Sequence, residues 1–140
     1  MAVARYLVDK SALARAQHPA VIDAIGPLIR AGLIGICGVV EAEMLVSARN
    51  VAEHDETRRR LRGFEWLPAP DEAWSWIADL QRALTERGLH RAVPIPDLLI
   101  AATAHRHRVT ILHYDADFDL IAEITGQPAQ WVVPQGSIDQ

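Results

Sequence analysis

Apolar and polar positions along this chain repeat with two different periods. Five short runs are rich in β-branched and aromatic residues and predict strands: Tyr6-Leu7-Val8, Ile34-Gly35-Ile36-Cys37, Phe64-Glu65-Trp66-Leu67, Val109-Thr110-Ile111-Leu112-His113 and Gln130-Trp131-Val132-Val133. Longer stretches between them carry the helical period. Ser11 to Ala16 is helix-forming up to His18-Pro19, and a second helix is expected from Ala20 to Arg30, stopped by Gly32. Val40 to Asn50 predicts a helix that continues as a charged one over Glu53 to Leu61. Asp71 to Arg87 predicts the longest helix, with Ala73, Ile77, Leu80 and Leu84 forming one apolar face. Pro94-Ile95-Pro96-Asp97 opens another through His107, and Asp115 to Ile124 predicts a short one before Gly126. Strands separated by helices favour parallel pairing through right-handed crossovers. The expected fold class is therefore α/β, a three-layer sandwich around a mostly parallel sheet.

The length of 140 residues is that of one domain, so residues 1–140 are expected to form a single unit. Half of the residues are hydrophobic and 23% are charged, a globular balance. The single cysteine, Cys37, excludes an intramolecular disulfide framework and is expected to be a small buried apolar group. No stretch approaches the ~18 apolar residues of a membrane span, and the first nine residues lack the pattern of a signal peptide. A soluble, cytoplasmic protein is expected. The net charge of −4 argues against nucleic-acid binding through bulk charge, so any such binding must use local patches or a metal ion.

The acids have a common address in this topology. Asp9 follows the first strand, Asp115 and Asp117 follow the fourth, and Asp97 opens the helix that leads into it. Sites in open parallel sheets form outside the carboxyl ends of strands. Glu43 lies on the helix after the second strand among Val40, Met44 and Leu45. Clustered carboxylates repel unless a positive charge sits among them, and an all-oxygen set suits Mg2+ or Mn2+ better than zinc. Such an ion would lower the pKa of a water and offset charge on a phosphodiester. Each acid taken singly also has an ordinary structural reading, as a helix cap or a turn residue. Glu41 sits two residues before Glu43, and positions two apart on a helix point in different directions, so one of the two reaches the cluster.

Four segments, in order, resemble the motifs of PIN-domain ribonucleases, especially the VapC-type toxins of bacterial toxin–antitoxin pairs. They are Tyr6-Leu7-Val8-Asp9-Lys10-Ser11-Ala12-Leu13, Glu43-Met44-Leu45-Val46-Ser47-Ala48-Arg49, Pro96-Asp97-Leu98-Leu99-Ile100-Ala101-Ala102-Thr103-Ala104 and Ile111-Leu112-His113-Tyr114-Asp115-Ala116-Asp117-Phe118-Asp119. The resemblance spans essentially the whole chain. It implies a Mg2+- or Mn2+-dependent endoribonuclease, homodimeric and neutralised by a cognate antitoxin whose C-terminal segment reaches the active site. It implies Asp9, Glu43, Asp97 and Asp115 as catalytic and metal residues, with Asp117 as a helper. Ser11 matches the family's small hydroxyl residue, whereas Lys10 replaces its usual threonine and Ser47 a frequent glycine. The expected reaction is in-line attack of a metal-activated water on RNA.

Further candidates are weaker. Lys10 and Ser11 are candidate substrate contacts, as are Arg58 and Arg59 of the basic run Arg58-Arg59-Arg60-x-Arg62, whose other reading is a solvated helix face. His105 and His107 have the wrong spacing for a shared metal and are expected at the surface. His113 is expected to be structural or to lie just behind the pocket. The four tryptophans are too scattered for a base-stacking platform and are expected in the core or at an interface. Two other functional classes fit a small α/β sheet with acids at strand ends: a receiver-type Mg2+-binding phosphoacceptor switch, and a PIN fold that only binds a partner.

Overall fold

The computed structural model of the protein describes residues 3–139; Met1, Ala2 and Gln140 of the expected 1–140 unit lie outside them. Five strands, β1 (Tyr6–Val8), β2 (Ile34–Ile36), β3 (Glu65–Trp66), β4 (Thr110–His113) and β5 (Ala129–Trp131), form one sheet in the order β3-β2-β1-β4-β5. Every pairing is parallel. The helices are α1 (Lys10–Leu13), α2 (Pro19–Arg30), α3 (Gly38–Leu45), α4 (Val51–Leu61), α5 (Ala73–Glu86), α6 (Ile95–His107) and α7 (Asp117–Thr125). This order differs from the 2-1-3-4-5 sheet of receiver-type switches, so the topology removes that alternative.

The pleat divides the core into two layers. Leu7 and Ile111, which are register partners, face a core built with Leu80 and Leu84 of α5, Ile100 of α6 and Ile121 of α7. Val8 and Leu112, the next pair, face the other side against Val21 and Ile25 of α2. All four residues of the expected α5 stripe, Ala73, Ile77, Leu80 and Leu84, are buried. Each large aliphatic side chain removed from water here contributes about 1.5–3 kcal/mol. At Gly35 a Cβ would stand 2.6 Å from Leu67 Cδ1, so only glycine lets Leu67 close on the middle of β2.

Several boundaries differ from the sequence reading. The helix expected over Val40 to Asn50 ends at Leu45, and a new one starts at Val51. Asn50 caps that start, its Oδ1 accepting from the Glu53 N–H (2.9 Å), while Glu53 Oε2 accepts from the Arg49 N–H. This local exchange satisfies free helix-end donors and outcompetes continuation of α3. His18, read as an interruption, is the cap of α2, with Nδ1 accepting from the Ala20 N–H. Of the four tryptophans none is fully buried, and Trp66 and Trp74 are exposed. Cys37 is buried at the end of β2, as expected, and burial pushes its thiol pKa up. No helix among the described residues is long and apolar enough to cross a membrane.

Candidate active site

The sheet's crossover geometry creates the site. After β1 the chain goes first to β2 and β3 on one side, then returns to β4 on the other, leaving a crevice beyond the carboxyl ends of β1 and β4. Asp9 leaves β1 there as the cap of α1, with Oδ2 accepting from the Ser11 N–H at 2.9 Å. Capping and pocket lining coexist because a carboxylate has lone pairs for both. Across the crevice, the Tyr114 N–H donates to Ser11 Oγ (2.8 Å), which ties the turn after β4 to the start of α1. Ser11 thus holds Asp9 and Asp115 to one another while also lining the pocket.

The turn after β4 is held by a second buried group. The Asp115 N–H donates to His113 Nδ1 at 3.1 Å, so this nitrogen is the unprotonated one and the ring is neutral. Burial pushes the His113 pKa down, in keeping with that tautomer, and the ring packs between Phe118 and Trp131. Asp115 Oδ1 in turn accepts from the Asp117 N–H at 2.9 Å. His113 therefore lies behind the pocket, shaping the loop that presents Asp115.

Asp9, Glu43, Asp97 and Asp115 line one pocket of about 210 Å³, together with Lys10, Ser11 and Arg15. Carboxylate oxygens of Asp97, Asp115 and Asp117 also lie within 4.8 Å of one another. The two groups share Asp97 and Asp115, so Asp117 adjoins the same cluster from the α7 side. Asp97 lies in the first turn of α6 and is buried. Burial, and then the neighbouring charges of Asp9 and Asp115, push its pKa up to about 8. Glu43 and Asp117 are raised too, each mainly by burial and next by an acidic neighbour, Asp9 and Asp115 respectively.

Glu41 and Glu43 point in different directions, about 200° apart around α3. Glu43 faces the acids, and its Oε1 is buried without a hydrogen-bond partner. Glu41 faces α4 instead, 3.3 Å from Arg58 Nε and 3.4 Å from Arg62 Nε. Arg58 and Arg59 do not join the acid pocket. Arg58 is drawn to Glu41, Arg59 pairs with Glu56, and both line a shallow surface depression with Asp55 and Arg62. Sequence reasoning missed Arg15. Its guanidinium sits 4.9 Å over the Tyr114 ring and donates to the Ser11 carbonyl (2.7 Å), at the pocket wall. Its spacing one turn after Ser11 was the available signal.

These carboxylates fit a hard divalent cation. The donors are all oxygen, one buried oxygen lacks a partner, and burial together with the neighbouring acids raises the pKa values of Asp97 and Glu43. A glutamine at position 43 keeps its shape but loses a charge. Glu43→Gln is expected to cut the activity of this site more than ~10-fold without lowering the melting temperature. Glu41→Gln should cost about 1–2 kcal/mol of stability and spare activity per folded molecule, because it unpairs two half-exposed arginines. Paired melts and rate assays check this, and the opposite ranking would contradict the orientation of α3.

The family model for the PIN domain matches residues 6–124. Among curated proteins, the chain is 47% identical over 135 residues to Ribonuclease VapC21 of Mycobacterium tuberculosis, covering 95% of this chain and 97% of that one. It is 42% identical over 135 residues to Ribonuclease VapC51 of the same organism, covering 96% and 98%. Its fold resembles DNA-bound VapBC from Salmonella typhimurium, with a TM-score of 0.73 at 12% identity over 94% of this chain and all of that one. It also resembles VapBC2 from Rickettsia felis bound to a promoter DNA fragment, with a TM-score of 0.72 at 18% identity over 90% and 97%.

Proposed function

The chain belongs to the PIN-domain family, and from that premise we propose that it is the toxin half of a toxin–antitoxin pair, an endoribonuclease dependent on Mg2+ or Mn2+. The observation that carries this reading is the convergence of Asp9, Glu43, Asp97 and Asp115 on one pocket at the crevice between β1 and β4. Extensive identity to two proteins named ribonucleases supports the substrate class. Residues 1–140 act as one cytoplasmic nuclease domain.

Asp9 and Asp97 are the principal metal residues, completed by Asp115, with Glu43 and Asp117 flanking them. The ion, when bound, supplies a lowered pKa for the attacking water and positive charge opposite the phosphate. The chain's own residues do the rest. The partnerless Oε1 of Glu43 accepts a hydrogen bond from the attacking water and orients it. Ser11 and His113 hold the two loops at fixed separation, so the acids need not reorganise during the reaction. Lys10 and Arg15 put positive charge on the pocket wall, where a phosphate of the RNA would otherwise meet only carboxylates. One water is consumed, one P–O bond breaks, and the new ends carry a phosphate and a hydroxyl.

The Lys10 and Arg15 roles are open to a salt titration. Replacing both by alanine should raise the KM for RNA and flatten the slope of log affinity against log salt by about 0.7 per lost contact. A slope identical to wild type would remove them from the substrate path.

The partner is a cognate antitoxin protein, whose C-terminal segment covers the acid pocket, on a toxin homodimer. Exposed apolar side chains support a protein partner. Ile22 and Ile29 lie two turns apart on the outside of α2, and Val46 and Val51 flank the α3–α4 turn. The test of the whole reading is direct: purified protein with Mg2+ or Mn2+ should cut single-stranded RNA, chelator should stop it, and the antitoxin should inhibit it. Intact RNA under all metal conditions would overturn it.

A further inference from the structure

Far from the acids, at the opposite end of α6, a groove of about 340 Å³ opens between the last turn of α6 and the first turns of α5. Its wall carries a ring pair, Trp76 and His105, stacked with centroids 5.2 Å apart and planes 29° from parallel. Two arginines, Arg106 and Arg108, stand beside them, and Ala102 leaves the floor shallow. Arg106 is steadied by Glu72 at 3.4 Å.

Arg108 carries an additional signal. It ends α6 in the left-handed conformation, with φ of 55°, and it is the one non-glycine among the described residues with positive φ. The other four such positions, Gly32, Gly88, Gly126 and Gly136, are all glycine. A side chain is disfavoured in this conformation, and glycine is the usual helix terminator. Here the chain keeps an arginine at a conformational cost, and this exposed residue lines the groove.

We propose that this groove is a second RNA-binding site, taking one unpaired nucleotide of the substrate. Its base lies against the Trp76–His105 rings and its phosphate against Arg106 and Arg108. Aromatic faces beside arginines are the recurrent way to hold single-stranded nucleic acid without reading its sequence. The proposal rests on the ribonuclease reading above and extends it. Asp97 and His105 sit on the same helix, eight residues and therefore ~12 Å apart along its axis. A short single strand engaged at the acids can thus be held at the groove as well. The charged rim, with Arg106 and Arg108 beside Glu72, suits a ligand with an anionic group better than an apolar protein surface.

Binding is measured in chelator, where the acid pocket has no metal ion and its Lys10 and Arg15 contribute the same background to every variant. The probe is a fluorescein-labelled single-stranded RNA of mixed sequence, read by anisotropy on the full chain. His105→Ala and Arg108→Gly are each expected to weaken binding about fivefold to tenfold, and Arg108→Gly to flatten the salt slope by nearly one contact. Arg108→Gly should melt at or above the wild-type temperature, because glycine relieves the left-handed strain, so lost affinity would not reflect lost folding. With metal present, both variants should raise the KM for long RNA and leave cleavage of a dinucleotide unchanged. Wild-type affinity in both variants overturns the second site. A change of oligomeric mass by light scattering, with RNA affinity intact, overturns it in favour of a contact between protein copies. Cleavage by wild type judges the acid pocket separately, so the two ideas fail independently.

Discussion

Asn in place of Asp97 should reduce RNA cleavage by the purified protein more than ~100-fold, a larger loss than the 10–100-fold that follows removal of groups merely supporting a metal ligand. The substitution keeps shape and volume and removes one charge from the centre of the cluster, where Asp97 is common to the pocket-lining acids and to the Asp97–Asp115–Asp117 group. Folding should not suffer, because Asp97 is buried as an uncompensated acid whose pKa stands at about 8. Asp9→Asn should behave alike, since asparagine caps α1 as well as aspartate does. Gel assays with Mg2+ or Mn2+ check both. Full-rate cleavage by Asp97→Asn would remove it from the site.

The second large effect is on stability without metal. The folded-state pKa of Asp97 lies above its ordinary 3.8, so the folded protein holds a proton that the unfolded chain has released. The stabilisation from this proton is complete below about pH 4 and is lost progressively as pH rises toward about 8. The raised values of Glu43 and Asp117 act with the same sign. In chelator, the difference in melting temperature between Asp97→Asn and wild type should therefore grow from near zero at acid pH to several degrees in the mutant's favour at pH 8, since one pKa unit is worth about 1.4 kcal/mol. Adding Mg2+ or Mn2+ should reverse the order. An ion at a hundred times its Kd stabilises the wild-type fold by about 2.7 kcal/mol, and the mutant much less. Calorimetric scans across pH, with and without ion, make the comparison. A pH-independent difference would mean that Asp97 does not carry the repulsion.

The parts of this fold legible in the sequence were those set by period and by chain order. The α5 stripe needed only a 3.6-residue repeat, and all four of its positions are buried. Placing Asp9 and Asp115 at one end of the sheet needed only the alternation of strands and helices. Features set by competition between local bonds were harder. The break at Asn50 was written in Asn50-x-x-Glu53, a capping pattern hidden inside a stretch that otherwise reads as continuous helix. Tertiary partners were hardest of all. Nothing near Arg58 in sequence says that its guanidinium goes to Glu41, and nothing near Trp76 says that it meets His105. The basic run does share one surface, but the fold commits its charges to two acids, Arg58 and Arg62 to Glu41 and Arg59 and Arg60 to Glu56.

The pairing of β1 with β4, residues 6–8 with 110–112, carries a meaning for how such a molecule is made. A chain emerges from the ribosome at about 5–20 residues per second, N-terminal part first. Asp9 has therefore emerged several seconds before Asp115, and for that whole interval β1 lacks one of its two neighbours. Closing a loop of this length is the slow kind of contact, paid in chain entropy before any burial rewards it. A cell that translates this message thus holds nascent chains with no assembled acid pocket, and a chain released before residue 97 lacks two of its four acids, Asp97 and Asp115. The time between the first acid and the last is an interval in which another protein can arrive before the site exists.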